Sequence, residues 1–211
     1  MSDLSTLREA VLVGNAEAAV SAAQAALDGG VAPLALVEHG IRPAMAEVGQ
    51  RFENGDYFVP ELLMAARATK QVFDLIRPAL ATAGAKPQGR IVLGTVQGDQ
   101  HDIGKNLVAA MLEGSGFEVI DLGVDVAPQK FVQAVQQNDV DLVGFSSLLT
   151  TTLPGVTAAL DALGKAGVRD RVQVMVGGAP VTESFASSVG ADGYAENAAV
   201  AVEVAKRLVA S

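Results

Sequence analysis

Two carboxylates, an imidazole and an ammonium crowd into one short stretch, G-T-V-Q-G-D-Q-H-D-I-G-K-N at residues 94–106. Asp99 and His101 are two apart, a spacing that lets a carboxylate take a hydrogen bond from one ring nitrogen and leave the other for a metal. A zinc ion held by protein alone needs three or four ligands. The chain has no cysteine, and its only other histidine, His39, lies far away in sequence. A metal held here must therefore bring most of its own ligands, as a metal inside a macrocycle does. It would need one axial donor.

Other chemistries fit the stretch less well. Gly98 to Lys105 has the flavour of a phosphate loop, but the spacing is wrong by one and Asn106 stands where Ser or Thr should meet magnesium. Asp99, His101 and a hydroxyl could form a hydrolytic triad. There is no G-x-S-x-G elbow, however, and the acid and the imidazole share one loop. The plainest alternative is a histidine that only ends a turn.

The surrounding pattern says what must position these residues. From Arg90 onward, short β-rich runs alternate with helices, the signature of a parallel sheet with crossover helices. Strands are expected over residues 91–96, 118–122, 142–146, 173–176 and 193–195, with helices over 103–113, 128–137, 153–166, 182–189 and 198–209. That is a flavodoxin-like (βα)5 domain, whose sheet order is 2-1-3-4-5. Ligands in such a sheet sit beyond the carboxyl ends of the strands, where strands 1 and 3 are neighbours. The loop with Asp99 and His101 should then face the hydroxyl-rich run at residues 146–152, and Gly177-Gly178-Ala179-Pro180 joins the same edge. The glycine pair reads equally as a tight strand-to-helix turn or as room for a bulky ligand near the backbone.

Residues 4–81 are helical in pattern, rich in Ala and Leu. Four helices are expected, over about residues 3–13, 16–27, 33–52 and 60–81, packed as a four-helix bundle. Pro43 should kink or break the third. His39 reads as a structural histidine near Gly40, and Phe58 as a core or staple residue at the start of the fourth helix. Residues 83–89, A-G-A-K-P-Q-G, read as a linker. The expected domains are a helical one over 1–85 and an α/β one over 86–211.

Composition narrows the partners. Half of the 211 residues are hydrophobic, enough to bury a core. A net charge of -9 and the lack of any basic run argue against nucleic acid. No leader pattern opens the chain and no apolar run reaches roughly 18 residues, so no membrane is expected and the expected location is cytoplasmic.

Three spaced motifs now resemble one family. D-Q-H-D-I-G-K-N at residues 99–106 is similar to the D-x-H-x-x-G signature of cobalamin-binding domains. G-F-S-S-L-L-T-T-T at 144–152 resembles their S-x-L motif, and V-G-G-A at 176–179 their G-G motif, with G-A-D-G-Y-A following at 190–195. The run R-P-A-M-A-E-V-G-Q-R-F-E-N-G-D-Y-F-V-P-E-L resembles the methyl-cap bundle of methionine synthase and of small corrinoid proteins. Nearly the whole chain is covered. An acidic residue is common where Asn197 stands, a departure expected to matter little.

The resemblance implies a corrinoid protein of the methanol, methylamine, glycine betaine or aryl-ether demethylation systems, holding cobalamin base-off, His-on. His101 would be the lower axial ligand to cobalt, Asp99 would hydrogen-bond it, and Thr152 would complete the relay. The nucleotide tail would enter a slot lined by Gly104, Ser146, Thr150, Gly177 and Gly178. Gln100, Asp102, Ile103, Leu148, Ala179 and Tyr194 would complete the cofactor's surroundings, and Phe58 would lie over its upper face. Cobalt cycling through Co(I), Co(II) and Co(III), with methylcobalamin as the loaded form, implies proton uptake by the relay on reduction.

The implied role is a non-catalytic carrier between a substrate:corrinoid methyltransferase and a corrinoid:tetrahydrofolate or corrinoid:coenzyme M methyltransferase, with a reductive activase. A cobalamin-dependent sensor is the alternative; since the chain starts at the first bundle helix, its output domain is expected to be a separate protein. The bundle argues against a mutase small subunit.

Overall fold

The computed structural model describes residues 4–83 and 86–210. Asp3, the expected start of the first helix, and Gly84 and Ala85, within the expected linker, lie outside the described residues. The chain divides into two compact units, Met1–Pro87 with Ala110–Gly116, and Gln88–Ala109 with Phe117–Ser211. No helix among the described residues is long and apolar enough to cross a membrane.

In the helical unit, α1 (Ser5–Leu12) is followed by α2 (Ala16–Asp28). Asn15 caps α2, its side chain accepting from the Ala18 N–H at 3.1 Å and satisfying one of the donors a helix start leaves open. Next, α3 (Pro33–Leu36) runs through a π-helical turn, Val37–Ile41, into α4 (Arg42–Glu53). The widened turn ends at Ile41, two residues before Pro43, so the expected disturbance is present. Pro43 has no N–H to offer the His39 carbonyl four residues earlier. That oxygen instead accepts from Arg8 Nε at 2.8 Å.

The long α5 (Val59–Thr82) starts one residue earlier than its Pro60 suggests, and the Glu61 carboxylate accepts from the Phe58 N–H at 2.9 Å as in a capping box. α1 packs on α2 and α4, and α5 packs on all three, which closes the four-helix bundle. Phe58 corrects an expectation: it is 65% exposed and is neither core nor staple. Its role at the helix start belongs to its backbone.

The second unit holds five parallel strands, β1 (Arg90–Thr95), β2 (Glu118–Asp121), β3 (Leu142–Ser146), β4 (Gln173–Gly177) and β5 (Gly193–Ala195). Between and after them come α6 (Ile103–Gly114), α7 (Pro128–Gln137), α8 (Leu153–Lys165), α9 (Glu183–Val189) and α10 (Ala198–Val209). Sheet order is β2-β1-β3-β4-β5, as the alternating pattern predicts.

Alternation along the strands sorts the side chains by face. Val92, Val143, Phe145, Val174 and Val176 join one buried cluster with Phe131 and Val135 of α7 and Val156 and Leu163 of α8. Phe131 and Phe145 meet edge to face, with centroids 4.7 Å apart. α10 packs on β3, β4 and β5. Register aligns Thr95 with Ser146 and Ser146 with Gly177, so the three central strands finish level. The loops leaving them are therefore neighbours.

Candidate cofactor-binding site

The site is built where β1 and β3 end. Beyond Thr95 the chain turns at Gly98, whose φ of +87° suits glycine alone among common residues, and delivers Asp99 into the interior. Asp99 is fully buried. An ionised carboxylate there needs donors, and it has four. On one oxygen, Oδ2, it accepts from the Leu148 N–H at 2.7 Å and the Thr152 hydroxyl at 2.8 Å. On Oδ1 it accepts from the His101 N–H at 3.1 Å and stands 2.7 Å from His101 Nδ1.

These donors decide the charge. Burial alone would push the Asp99 carboxyl up, but the Leu148 N–H, the two His101 contacts and the Thr152 hydroxyl together hold it well below the usual carboxylate range. Asp99 is thus an acceptor only, which requires Nδ1 of His101 to carry the proton. In the neutral ring, Nε2 then bears the lone pair. It lies at the far end of the ring from the buried carboxylate, on a side chain that is half exposed. Such an imidazole is prepared to donate to a metal.

The hydroxyl side has a polarity too. Ser147 Oγ lies 2.8 Å from Thr152 Oγ1, and both residues are buried. A hydroxyl has one proton. When Thr152 gives its own to Asp99, Ser147 is the group that donates to Thr152, and the chain reads Ser147 to Thr152 to Asp99 to His101. Ser147 belongs to the hydroxyl-rich run expected to face Asp99, though the serine expected to meet the cofactor is its neighbour Ser146, which stands partly buried at the end of β3.

The remaining expected residues divide by what surrounds them. Gln100, Asp102, Ile103 and Gly104 are exposed around His101, as are Leu148 and Thr150 opposite. Asp102 also closes the first turn of α6, accepting from Asn106 Nδ2 at 3.2 Å. Ala179 is exposed in the loop after β4. Tyr194 is partly buried and packs against the sheet's core. Phe58 belongs to the helical unit.

The glycines separate cleanly. A Cβ at Gly178, where φ is +124°, would fall 1.8 Å from the Ser147 carbonyl oxygen, and one at Gly177 would fall 2.8 Å from the Ala195 carbonyl oxygen. Loop packing against the chain's own backbone accounts for both. At Gly104 a Cβ would meet nothing within 4 Å. Space beside α6 is open there.

Two structural observations test whether a corrinoid fits. Among the described residues no group of three or more His, Cys, Asp or Glu side chains could hold a metal ion, so His101 offers a single donor. Around it, Ile103 is 77% exposed, Leu148 40% and Leu149 42%. One imidazole on an apolar, open rim suits a metal that carries its own planar ligand set. The residues fit.

Fold and site together define a class: a parallel α/β domain that presents one carboxylate-held imidazole at the β1/β3 switch point, joined to a helical unit. A B12 binding domain model matches residues 89–203, and a second B12 binding domain model matches residues 4–77. Dimethylamine corrinoid protein 1 of Methanosarcina acetivorans is 42% identical over 98% of this chain and 97% of its own. Trimethylamine corrinoid protein 2 of the same organism is 42% identical over 92% and 91%. Among solved structures, a cobalamin-binding protein from Desulfitobacterium hafniense DCB-2 superposes with a TM-score of 0.84 at 34% identity over 99% of both chains. The methanol:cobalamin methyltransferase complex MtaBC from Methanosarcina barkeri matches with a TM-score of 0.87 at 30% identity, over 99% of this chain and 80% of that one. The chain belongs to the family of cobalamin-binding corrinoid proteins.

Proposed function

We propose that this protein is the methyl-carrying corrinoid subunit of a methyltransferase system, holding its cofactor base-off with His101 as the lower axial ligand. The observation that carries the reading is the Ser147, Thr152, Asp99 and His101 chain, which ends at a nitrogen lone pair on a half-exposed ring. Cobalamin, when bound, supplies a cobalt centre able to accept a methyl group and release it, so the protein's part is orientation and tuning.

Asp99 keeps the imidazole in the tautomer with Nε2 available and fixes its direction. Thr152 and the Leu148 N–H keep Asp99 ionised, and Ser147 fixes the direction of the Thr152 proton. Ile103 and Leu148 offer apolar surface to the ring, with Gln100 and Asp102 at its polar margin. Gly104, Ser146 and Thr150 are the residues we assign to the nucleotide tail, with Gly177, Gly178, Ala179 and Tyr194 at the end of that slot. Phe58, exposed on the helical unit, is assigned to cover the upper face.

The proposed partners are a substrate:corrinoid methyltransferase, a methyltransferase that passes the group to tetrahydrofolate or coenzyme M, and a reductive activase. The dimethylamine and trimethylamine corrinoid relatives favour a methylated amine as donor. To test this, the reduced, cobalamin-loaded protein is mixed with a methylamine methyltransferase and mono-, di- or trimethylamine. Uptake of a methyl group from one amine, strongly slowed in His101→Ala, is expected. Tight cobalamin binding with no methyl uptake from any methylated amine or from methanol contradicts the carrier role.

A further inference from the structure

One strained residue outside the relay touches the loop that carries it. Among the described residues, Asp125 is the only non-glycine with positive φ, at +51°. An L-residue adopts that left-handed conformation at a cost, and it persists where the surroundings enforce it. Asp125 lies in the loop after β2, on the opposite side of β1 from the hydroxyl loop.

Among the described residues its hydrogen bonds run to the His101 loop. Asp125 Oδ1 accepts from the Gly98 N–H at 2.7 Å, and the Asp125 N–H donates to the Asp99 carbonyl at 2.9 Å. The two bonds hold both sides of the turn that inserts Asp99. Neighbouring bonds extend the clamp: the Val126 N–H donates to the Thr95 carbonyl at 3.0 Å, the Thr95 N–H to the Gly123 carbonyl at 3.0 Å, and Thr95 Oγ1 to the His101 carbonyl at 2.9 Å. Asp99 is thus gripped by its side chain from the β3 side and by its backbone from the β2 side. With the preceding peptide held in place, a right-handed Asp125 would swing its carboxylate away from the Gly98 N–H.

We propose that Asp125 is a positioning residue for the lower axial ligand: its left-handed backbone and its carboxylate oxygen set the Gly98–Asp99 turn, and through it the aim of His101. The inference rests on the reading of His101 as that ligand. Shape and an acceptor oxygen are what the position needs, since Asp and Asn both tolerate the left-handed region and both offer Oδ1. Alanine offers neither. Partners that orient a metal's ligand typically change affinity by about 10–100-fold when removed.

Asp125→Ala, Asp125→Asn and wild type are compared in two measurements. In the cofactor-free protein, the 15N shifts of His101 report its tautomer and the exchange of the Gly98 and Asp99 amides reports the turn. In protein titrated with cob(II)alamin, the electron paramagnetic resonance spectrum with 15N-labelled histidine reports the fraction of cobalt bound through a histidine nitrogen. The expected result is faster exchange and a mixed tautomer in Asp125→Ala, with a histidine-bound fraction reduced at least several-fold, and near wild-type behaviour in Asp125→Asn. An Asp125→Ala variant with wild-type tautomer, exchange and histidine-bound fraction overturns the proposal. So does Asp125→Asn falling as far as Asp125→Ala. If wild type itself shows no histidine-bound cobalt, the lower-ligand reading fails and takes this inference with it; histidine-bound cobalt in wild type and in Asp125→Ala alike removes the inference alone.

Discussion

Thr152 and Asp99 stand 53 residues apart in the chain, yet their side chains meet at 2.8 Å in the interior. Their meeting ties the loop after β3 to the loop after β1. It also turns two weak elements, a threonine at a helix start and an acid in a turn, into one proton-ordered chain ending at His101.

Removing that hydroxyl should therefore do more than removing a surface contact. In Thr152→Val, Asp99 Oδ2 keeps only the Leu148 N–H, and the buried Ser147 hydroxyl keeps only the more distant Leu149 carbonyl at 3.4 Å. The expected loss of stability is about 1–3 kcal/mol, the cost of leaving buried polar groups unpaired. Thr152→Ser keeps the hydroxyl and should stay within about 1 kcal/mol of wild type by urea unfolding. A larger loss in Thr152→Ser than in Thr152→Val would point to methyl packing instead.

Acid should reveal the same network in the cofactor-free protein. The folded Asp99 carboxyl sits well below its unfolded value, which is about 3.9. The unfolded state therefore binds the proton more readily, and the stabilisation is complete above that value and is lost as pH falls below it. Asp99→Asn should melt lower than wild type at pH 7, and the gap should begin to narrow below about pH 4. A gap that stays constant down to pH 3 rules out Asp99 as the source.

Two glycine substitutions separate folding from binding. Gly178→Ala drives a methyl group into the Ser147 backbone at a φ of +124° and should cost about 3 kcal/mol or more of stability. Gly104→Ala lies in the first turn of α6 with nothing within 4 Å, so the cofactor-free protein should be as stable or up to about 1 kcal/mol more stable. Its cobalamin affinity should nevertheless fall, because the methyl group enters the space assigned to the nucleotide tail. Unchanged affinity would remove Gly104 from the slot.

The lysine of the central motif has a structural task. Lys105 is buried on α6, with Nζ 2.5 Å from Asp121 Oδ2 of β2 and 2.7 Å from Asn106 Oδ1. Asp121→Ala leaves that ammonium without its counter-charge, and because the Asp121 carboxylate is itself partly exposed the change should cost about 1–2 kcal/mol. Lys105→Met, which removes the charge and keeps the length, should cost less. Thermal melts of the two variants decide the order, and the reverse order would mean the pair is held by packing alone.

Much of this fold is legible in the residues. Short, near-continuous apolar runs mark the central strands, and amphipathic stretches between them mark the helices, because burial on both faces of a parallel sheet leaves little sequence freedom. Topology then brings residues 99–101 to residues 147–152 with no contact information at all. What stayed hidden is held by backbone atoms. The Leu148 N–H that helps ionise Asp99 has no side-chain signature, and Asp125 reads as an ordinary turn residue until its φ of +51° is seen. Ser147 was obscured by the serine beside it. Phe58 shows the limit of residue type: an aromatic before a helix start can pack as a staple or stand exposed, and only the fold shows that it is 65% exposed.

The lower-ligand assignment is tested most directly by the electron paramagnetic resonance spectrum of wild-type protein loaded with cob(II)alamin, recorded with natural and with 15N-labelled histidine. A single axial nitrogen splits each cobalt line into three when it is 14N and into two when it is 15N, so labelling histidine alone identifies the donor. Three lines becoming two on labelling, and no such change in His101→Ala, is the expected result. Three lines that survive histidine labelling would show the cofactor's own base on cobalt and contradict the assignment of His101.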